Sequence, residues 1–143
     1  MSSLDNFHMR VREAYANNRL QIGVNTVKAN SPGSPTYRPM DSLLPAVAIV
    51  FAIFYGFLIS IFAGILAFIC GTILFLWLVR QWVMDRVNRR TINYALEAAY
   101  PNWVTAWESG LLSLRLAAEP EVVCQSPGED WQQFVREHLL TKR

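Results

Sequence analysis

From Leu43 to Val79 the chain runs for 37 residues without an Asp, Glu, Lys, Arg or His. A helix needs only ~20 apolar residues to cross a bilayer, so a run of this length marks an integral membrane protein. It leaves 42 residues before it and 64 after it, and neither flank is long enough for a sizeable catalytic domain.

The run is also too long for one simple crossing. As a single helix it would measure about 55 Å, against a hydrocarbon core of about 30 Å. One solution is a transmembrane helical hairpin: a first helix over about 43–59, a tight reversal within Ser60 to Gly64, and a second helix over about 65–82 that brings Trp77 and Trp82 near the membrane interface. The other is one long transmembrane helix whose excess length emerges from the bilayer.

Charge favours the hairpin. Arg10, Arg12, Arg19, Lys28 and Arg38 outnumber three acidic residues before the run, and Arg80, Arg86, Arg89 and Arg90 face only Asp85 directly after it. Positive charge on both flanks assigns both to the cytoplasmic side, which requires an even number of crossings. Small residues argue for the unbroken helix. Ala48, Ala52, Gly56, Ser60 and Gly64 recur every fourth position, and Ala67 and Gly71 extend the series into a seam suited to helix packing. Ser60 and Gly64 cannot belong to both a turn and a mid-helix seam. The C-terminal tail is cytoplasmic under either arrangement, because the denser arginine cluster lies on its side of the run.

Outside the run, Leu4, Phe7, Val11, Ala14 and Tyr15 repeat at helical spacing, which predicts a short amphipathic helix from about Ser3 to Asn17. It either lies in the membrane interface or packs on the C-terminal tail. Leu20, Ile22 and Val24 alternate with polar or small residues but have no partner strand in view, so residues 20–24 read as extended or disordered. Residues 30–42 hold three prolines and three serines and read as an extended, solvated linker. Asp41 or Ser42 is the expected N-cap of the first membrane helix, with Pro45 in its first turn. Beyond the membrane, helical pattern continues through Val83, Val87 and Tyr94 to Ala98, and Pro101 ends it. Asn102 then caps a helix with Trp103, Trp107, Leu111, Leu114 and Ala118 in a stripe. A loop from Glu119 to Gly128 leads to the capping-box pattern Ser126-Pro127-Gly128-Glu129, and a last helix aligns Trp131, Phe134, Val135, His138 and Leu139. The expected chain is therefore an all-α membrane protein with four regions: an N-terminal segment (1–29), the linker (30–42), the transmembrane region (43–82) and a small helical tail (83–143).

Little in the sequence carries chemistry. There is no glycine-rich phosphate loop, no G-x-S-x-G elbow, no C-x-x-C and no H-E-x-x-H. His8 and His138 stand near opposite ends and read as ordinary surface histidines, and Cys70 and Cys124 lie at depths that keep them apart. No catalytic, cofactor or metal residue is assigned, and neither nucleic acid nor a small-molecule substrate is an expected partner. The basic residues crowd the membrane, where anionic headgroups would meet them, and residues 91–143 are net acidic, seven to four.

What remains is interaction, with membrane lipid and with another integral membrane protein or a second copy of the chain. The seam (Ala48, Ala52, Gly56, Ser60, Gly64, Gly71) offers a helix-packing surface. Arg80, Arg86, Arg89 and Arg90 set the topology, and Trp103, Trp107 and Trp131 are the residue type that most often anchors a protein contact. The expected function is a non-enzymatic accessory or regulatory subunit of a larger membrane complex, such as a secretion or conjugation apparatus served by an entry-exclusion protein. The competing expectation is a self-assembling hairpin that remodels or permeabilises membranes. Arginine outnumbers lysine eleven to two, a bias that leans towards a bacterial inner membrane.

Overall fold

Two helices long and apolar enough to cross a membrane occupy the middle of the chain. The structure, a computed structural model, describes residues 3–97 and 100–140. It is 68% helical with a small sheet. Its contacts divide it into two units: residues 38–87, and the two flanks, up to residue 37 and from residue 88, folded together.

In the central unit, helix α3 (Met40–Ile59) has 20 residues and is about 30 Å long. It starts earlier than expected. Pro39 is the N-cap, and Asp41 and Ser42 lie in the first turn instead of capping it, with Pro45 inside the helix. Pro39 already holds φ −64°, a helical value fixed by its ring, so no side-chain cap is needed to set the entry. The reversal is shorter than expected. Ser60 alone is extended, at φ −165° and ψ 159°, and helix α4 (Ile61–Leu74) begins at the next residue. Two bonds explain why one residue suffices: the Ser60 N–H donates to the Gly56 carbonyl at 3.1 Å, and the Ser60 hydroxyl oxygen accepts from the Ala63 N–H at 3.1 Å. Ser60 thus closes one helix and caps the next. The second arm does not stop at Trp82. It runs through a π-helical turn, Phe75–Val79, into α5 (Arg80–Leu96).

The flank unit corrects the all-α expectation. Strands β1 (Leu20–Val24), β2 (Leu112–Leu116) and β3 (Val123–Gln125) form an antiparallel sheet in the order β1-β2-β3. Leu20 pairs with Leu116, Ile22 with Leu114 and Val24 with Leu112, so the segment read as extended or disordered has its partner in the other flank. The expected tryptophan-bearing helix is cut in two. α6 spans Tyr100–Glu108, with Asn102 inside it and not at its cap, and Gly110 follows at φ +71°, a left-handed turn that suits glycine. From there Leu112, Leu114 and Leu116 are buried in alternation with Ser113 and Arg115, the period of a strand. β3 lies in the segment read as a loop.

Helix α1 (Ser3–Ala16) buries His8, Val11 and Ala14 against α6, β1 and α7 (Trp131–Val135). Its apolar side is therefore occupied within the flank unit. Asn25 caps the single turn α2 (Thr26–Ala29) by accepting from the Lys28 N–H. The proline-rich segment is not solvated throughout: Thr36 is buried, its hydroxyl is 3.2 Å from that of Thr91, and its carbonyl accepts from Arg90 at 3.0 Å. At the other end, Asp130 caps α7, where the capping-box reading had Ser126 in that role. Ser126 instead bonds both backbone groups of Leu112, and the Glu129 carboxylate accepts from the Gln125 N–H at 2.7 Å. Of the polar residues that resembled a helix start, Ser126 ties the end of β3 to Leu112 of β2 and Glu129 closes the turn after β3. A π-helical turn (Arg136–Leu140) follows α7. Ala98, the expected end of the helix after the membrane, lies outside the described residues.

Candidate functional site

The residues singled out from sequence fall in three places. The first is the contact between α3 and α4. A Cβ at Gly56 would stand 3.1 Å from both the Ala63 carbonyl oxygen and the Ala67 Cβ, and one at Gly71 would stand 3.0 Å from Ile49. At Gly64 it would overlap the Phe57 ring. These three glycines let the arms approach closely, which is the packing logic of membrane helices. The seam as a whole is not continuous. Ser60 breaks it, and Ala48 and Ala52 are exposed, because the α3 face turned to α4 is the one that carries Ile49, Ile53 and Gly56.

The second place is the open end of the hairpin. The Arg86 guanidinium lies 4.3 Å from the centre of the Trp82 ring and 3.8 Å from the Asp41 carboxylate. A cation, an indole and a carboxylate at this level join the start of α3 to α5 and suit the polar boundary of a bilayer. Arg80 and Arg89 are exposed. Arg90 is half-buried and donates to the Thr36 carbonyl within the flank unit.

The third is an aromatic cluster inside the flank unit. Trp103 is 0% exposed, and Trp107 and Trp131 are 5% exposed each. Trp103 stacks on Trp107 at 6.0 Å and meets Trp131 edge-on at 5.4 Å. The expected partner-binding tryptophans therefore form this unit's own core. His8 lies in the same cluster, 5.5 Å from Trp103 and 6.0 Å from Tyr100. Only 3% exposed, it is not the surface histidine expected. Its Nε2–H donates to the Ala95 carbonyl at 3.0 Å, a partner remote in sequence.

Burial, reinforced by Arg12, lowers the His8 pKa below 6.5, opposed by the Ala95 bond and by Asp5. The folded unit thus keeps His8 neutral in a range where the unfolded chain would protonate it. Stability from this site is complete above pH 6.5 and falls as pH drops below that value, with a slope no steeper than about 1.4 kcal/mol per pH unit. Thermal melts between pH 7.5 and 5 test this against His8→Leu, which should flatten that part of the profile; an equal slope in both proteins would assign it elsewhere.

Other features have limited chemical capacity. Burial, with Glu129 and Asp130 nearby, pushes the Cys124 thiol up to about 12, so it stays protonated and a poor nucleophile at neutral pH. Among the described residues no group of three His, Cys, Asp or Glu stands ready to hold a metal ion. The flank unit does have an open cleft of about 540 Å³ lined by Met9, Arg12, Glu13, Tyr15, Ala16 and Leu96. Sequence reasoning missed it, because it combines the outer side of α1 with the end of α5. Compared with protein-family models, curated proteins and solved structures, the chain gives no match.

Proposed function

We propose that this chain is a non-enzymatic, membrane-anchored accessory subunit. The α3–α4 hairpin is its anchor, and the flank unit is a folded head offered to a larger membrane complex, of which a secretion or conjugation apparatus is one kind. The observation that carries the reading is the pairing of β1 with β2. A sheet assembled from residues on both sides of the apolar run needs both flanks in one compartment, and hence two crossings rather than one. The basic residues around the run support a cytoplasmic side for that compartment, and the arginine bias favours a bacterial inner membrane.

Since the tryptophans are internal, the contact for a partner is the cleft around Met9, where apolar surface is flanked by Arg12 and Glu13. A photo-crosslinking residue at Met9 should capture one larger membrane protein in cells, whereas the same residue at Trp107 should join only segments of this chain. Capture of nothing but a second copy from Met9 would overturn the accessory-subunit reading. Self-assembly with membrane permeabilisation is the alternative, favoured by the exposed Ala48 and Ala52 on the hairpin surface. Dye release from liposomes by the purified protein would support that alternative.

A further inference from the structure

We propose that the closed end of the hairpin is a lipid-contact surface lodged at the far boundary of the bilayer hydrocarbon, with no loop projecting into water beyond it. The inference rests on the membrane reading above and adds the depth and surroundings of the tip.

Three observations converge. The reversal takes one residue, and the hydroxyl oxygen and N–H of that residue, Ser60, are both engaged within the hairpin. Around it stand Leu58, Ile59, Ile61 and Phe62, uncharged and facing outward, with Phe62 87% exposed. A loop that stood in water would place this apolar cluster there at a cost of about 1.5–3 kcal/mol for each large side chain left unburied. The third observation is length. α3 has 20 residues, and the return arm has 14 in α4 and five in the π turn before Arg80. Each arm therefore measures about 30 Å, the thickness of the hydrocarbon itself.

With Asp41 and Arg80, the first charged residues at the open ends of the two arms, standing at the near boundary, no residues remain to carry the tip beyond the far one. The backbone sets the opposite limit. Past the Gly56 carbonyl, which the Ser60 N–H bonds, the last carbonyls of α3 have no later turn of helix to bond them, and carbonyls without partners are not tolerated deep in hydrocarbon. The far boundary satisfies both demands, since interfacial water reaches the backbone while acyl chains surround the four apolar side chains. The tip contains no charged side chain.

The test uses purified full-length protein carrying Cys70→Ala and Cys124→Ala, with Ile61→Cys or Ser60→Cys at the tip and Ala118→Cys as the water-side reference. Each protein is reconstituted in phosphatidylcholine and phosphatidylglycerol liposomes, where no other protein is present. A bulky impermeant maleimide, loaded into the liposomes by freeze-thaw as well as added outside, should modify the tip cysteines at least about tenfold more slowly than Ala118→Cys, because acyl chains shield a thiol held away from water on either side. Detergent should make all of them reactive. A small fluorophore on the tip cysteine should be quenched by lipids brominated on their acyl chains. Tip modification at the reference rate would overturn the proposal, as would absence of quenching, which would mean that protein covers the tip. Extraction of the protein by alkaline carbonate would instead defeat the membrane reading itself, so the two failures are distinct.

Discussion

Replacing Trp103 by alanine is expected to unfold the flank unit while the hairpin stays in the membrane. Trp103 is 0% exposed and touches Trp107, Trp131 and His8. Removing so large a buried side chain costs about 3–5 kcal/mol, between about a fifth and the whole of the roughly 5–15 kcal/mol that holds a domain of ordinary stability together. Limited proteolysis should then cleave both flanks rapidly and spare a membrane-protected fragment around residues 40–79. Trp103→Phe is the informative companion. The indole N–H of Trp103 has no hydrogen-bond partner among the described residues, so a phenyl ring loses bulk but no bond and should be much milder. A Trp103→Ala protein that resists protease like the parent would show that the aromatic cluster is not what holds the flanks together.

The second large effect is expected at Gly56. Its added Cβ would already meet the Ala63 carbonyl and Ala67, and the rest of a leucine side chain would have to enter the space taken by α4. Overpacking of this kind costs about 1–3 kcal/mol when the surroundings cannot yield, and here one neighbour is backbone. The arms should separate in Gly56→Leu. A direct reading comes from the pair Ile49→Cys and Gly71→Cys in a Cys70→Ala background. A Cβ at Gly71 would lie 3.0 Å from an Ile49 methyl, which brings the two Cβ atoms near the range a disulfide requires. Oxidation should link the arms readily in that protein, and adding Gly56→Leu should lower the yield several-fold. An unchanged yield would show that Gly56 does not set the spacing between the arms.

How far this was legible in the sequence depends on how local the deciding interaction is. The apolar run announces itself, and an extended serine that caps its own successor lies within the residues where a reversal was expected. α1 was readable from its three-and-four spacing, though its surroundings were not. The sheet was missed because Leu111 and Leu114 fit a helical stripe as well as they fit the start of a strand, and the partner that decides between them, Leu20 to Val24, lies in the opposite flank. A glycine at position 110 was the available clue to the break. Ser126 and Glu129 matched a local capping pattern, yet their real partners are Leu112 and Gln125. For His8 the deciding contact is a carbonyl in α5, which no periodicity reveals. The tryptophans were visible as anchors of something, and only their burial tells that they anchor each other.

The way the sheet is threaded has a consequence for how such a protein is made. β1 leaves the ribosome well before β2, and everything between them, including both arms of the hairpin, must be synthesised before the strands meet. On the membrane-anchored reading proposed above, folding of the head therefore waits on insertion. A molecule inserted with one crossing has its halves on opposite sides of the membrane, where Leu20 never reaches Leu116 and the Trp103 core has no α1 to close it. Such a molecule keeps apolar segments and unpaired strand edges in the open, the features that make incompletely folded chains prone to aggregation and proteolysis. A correctly threaded molecule loses those marks as soon as its last helix docks. Under the proposed anchoring the fold thereby proofreads its own topology, since only a chain that has crossed the membrane an even number of times can complete its head.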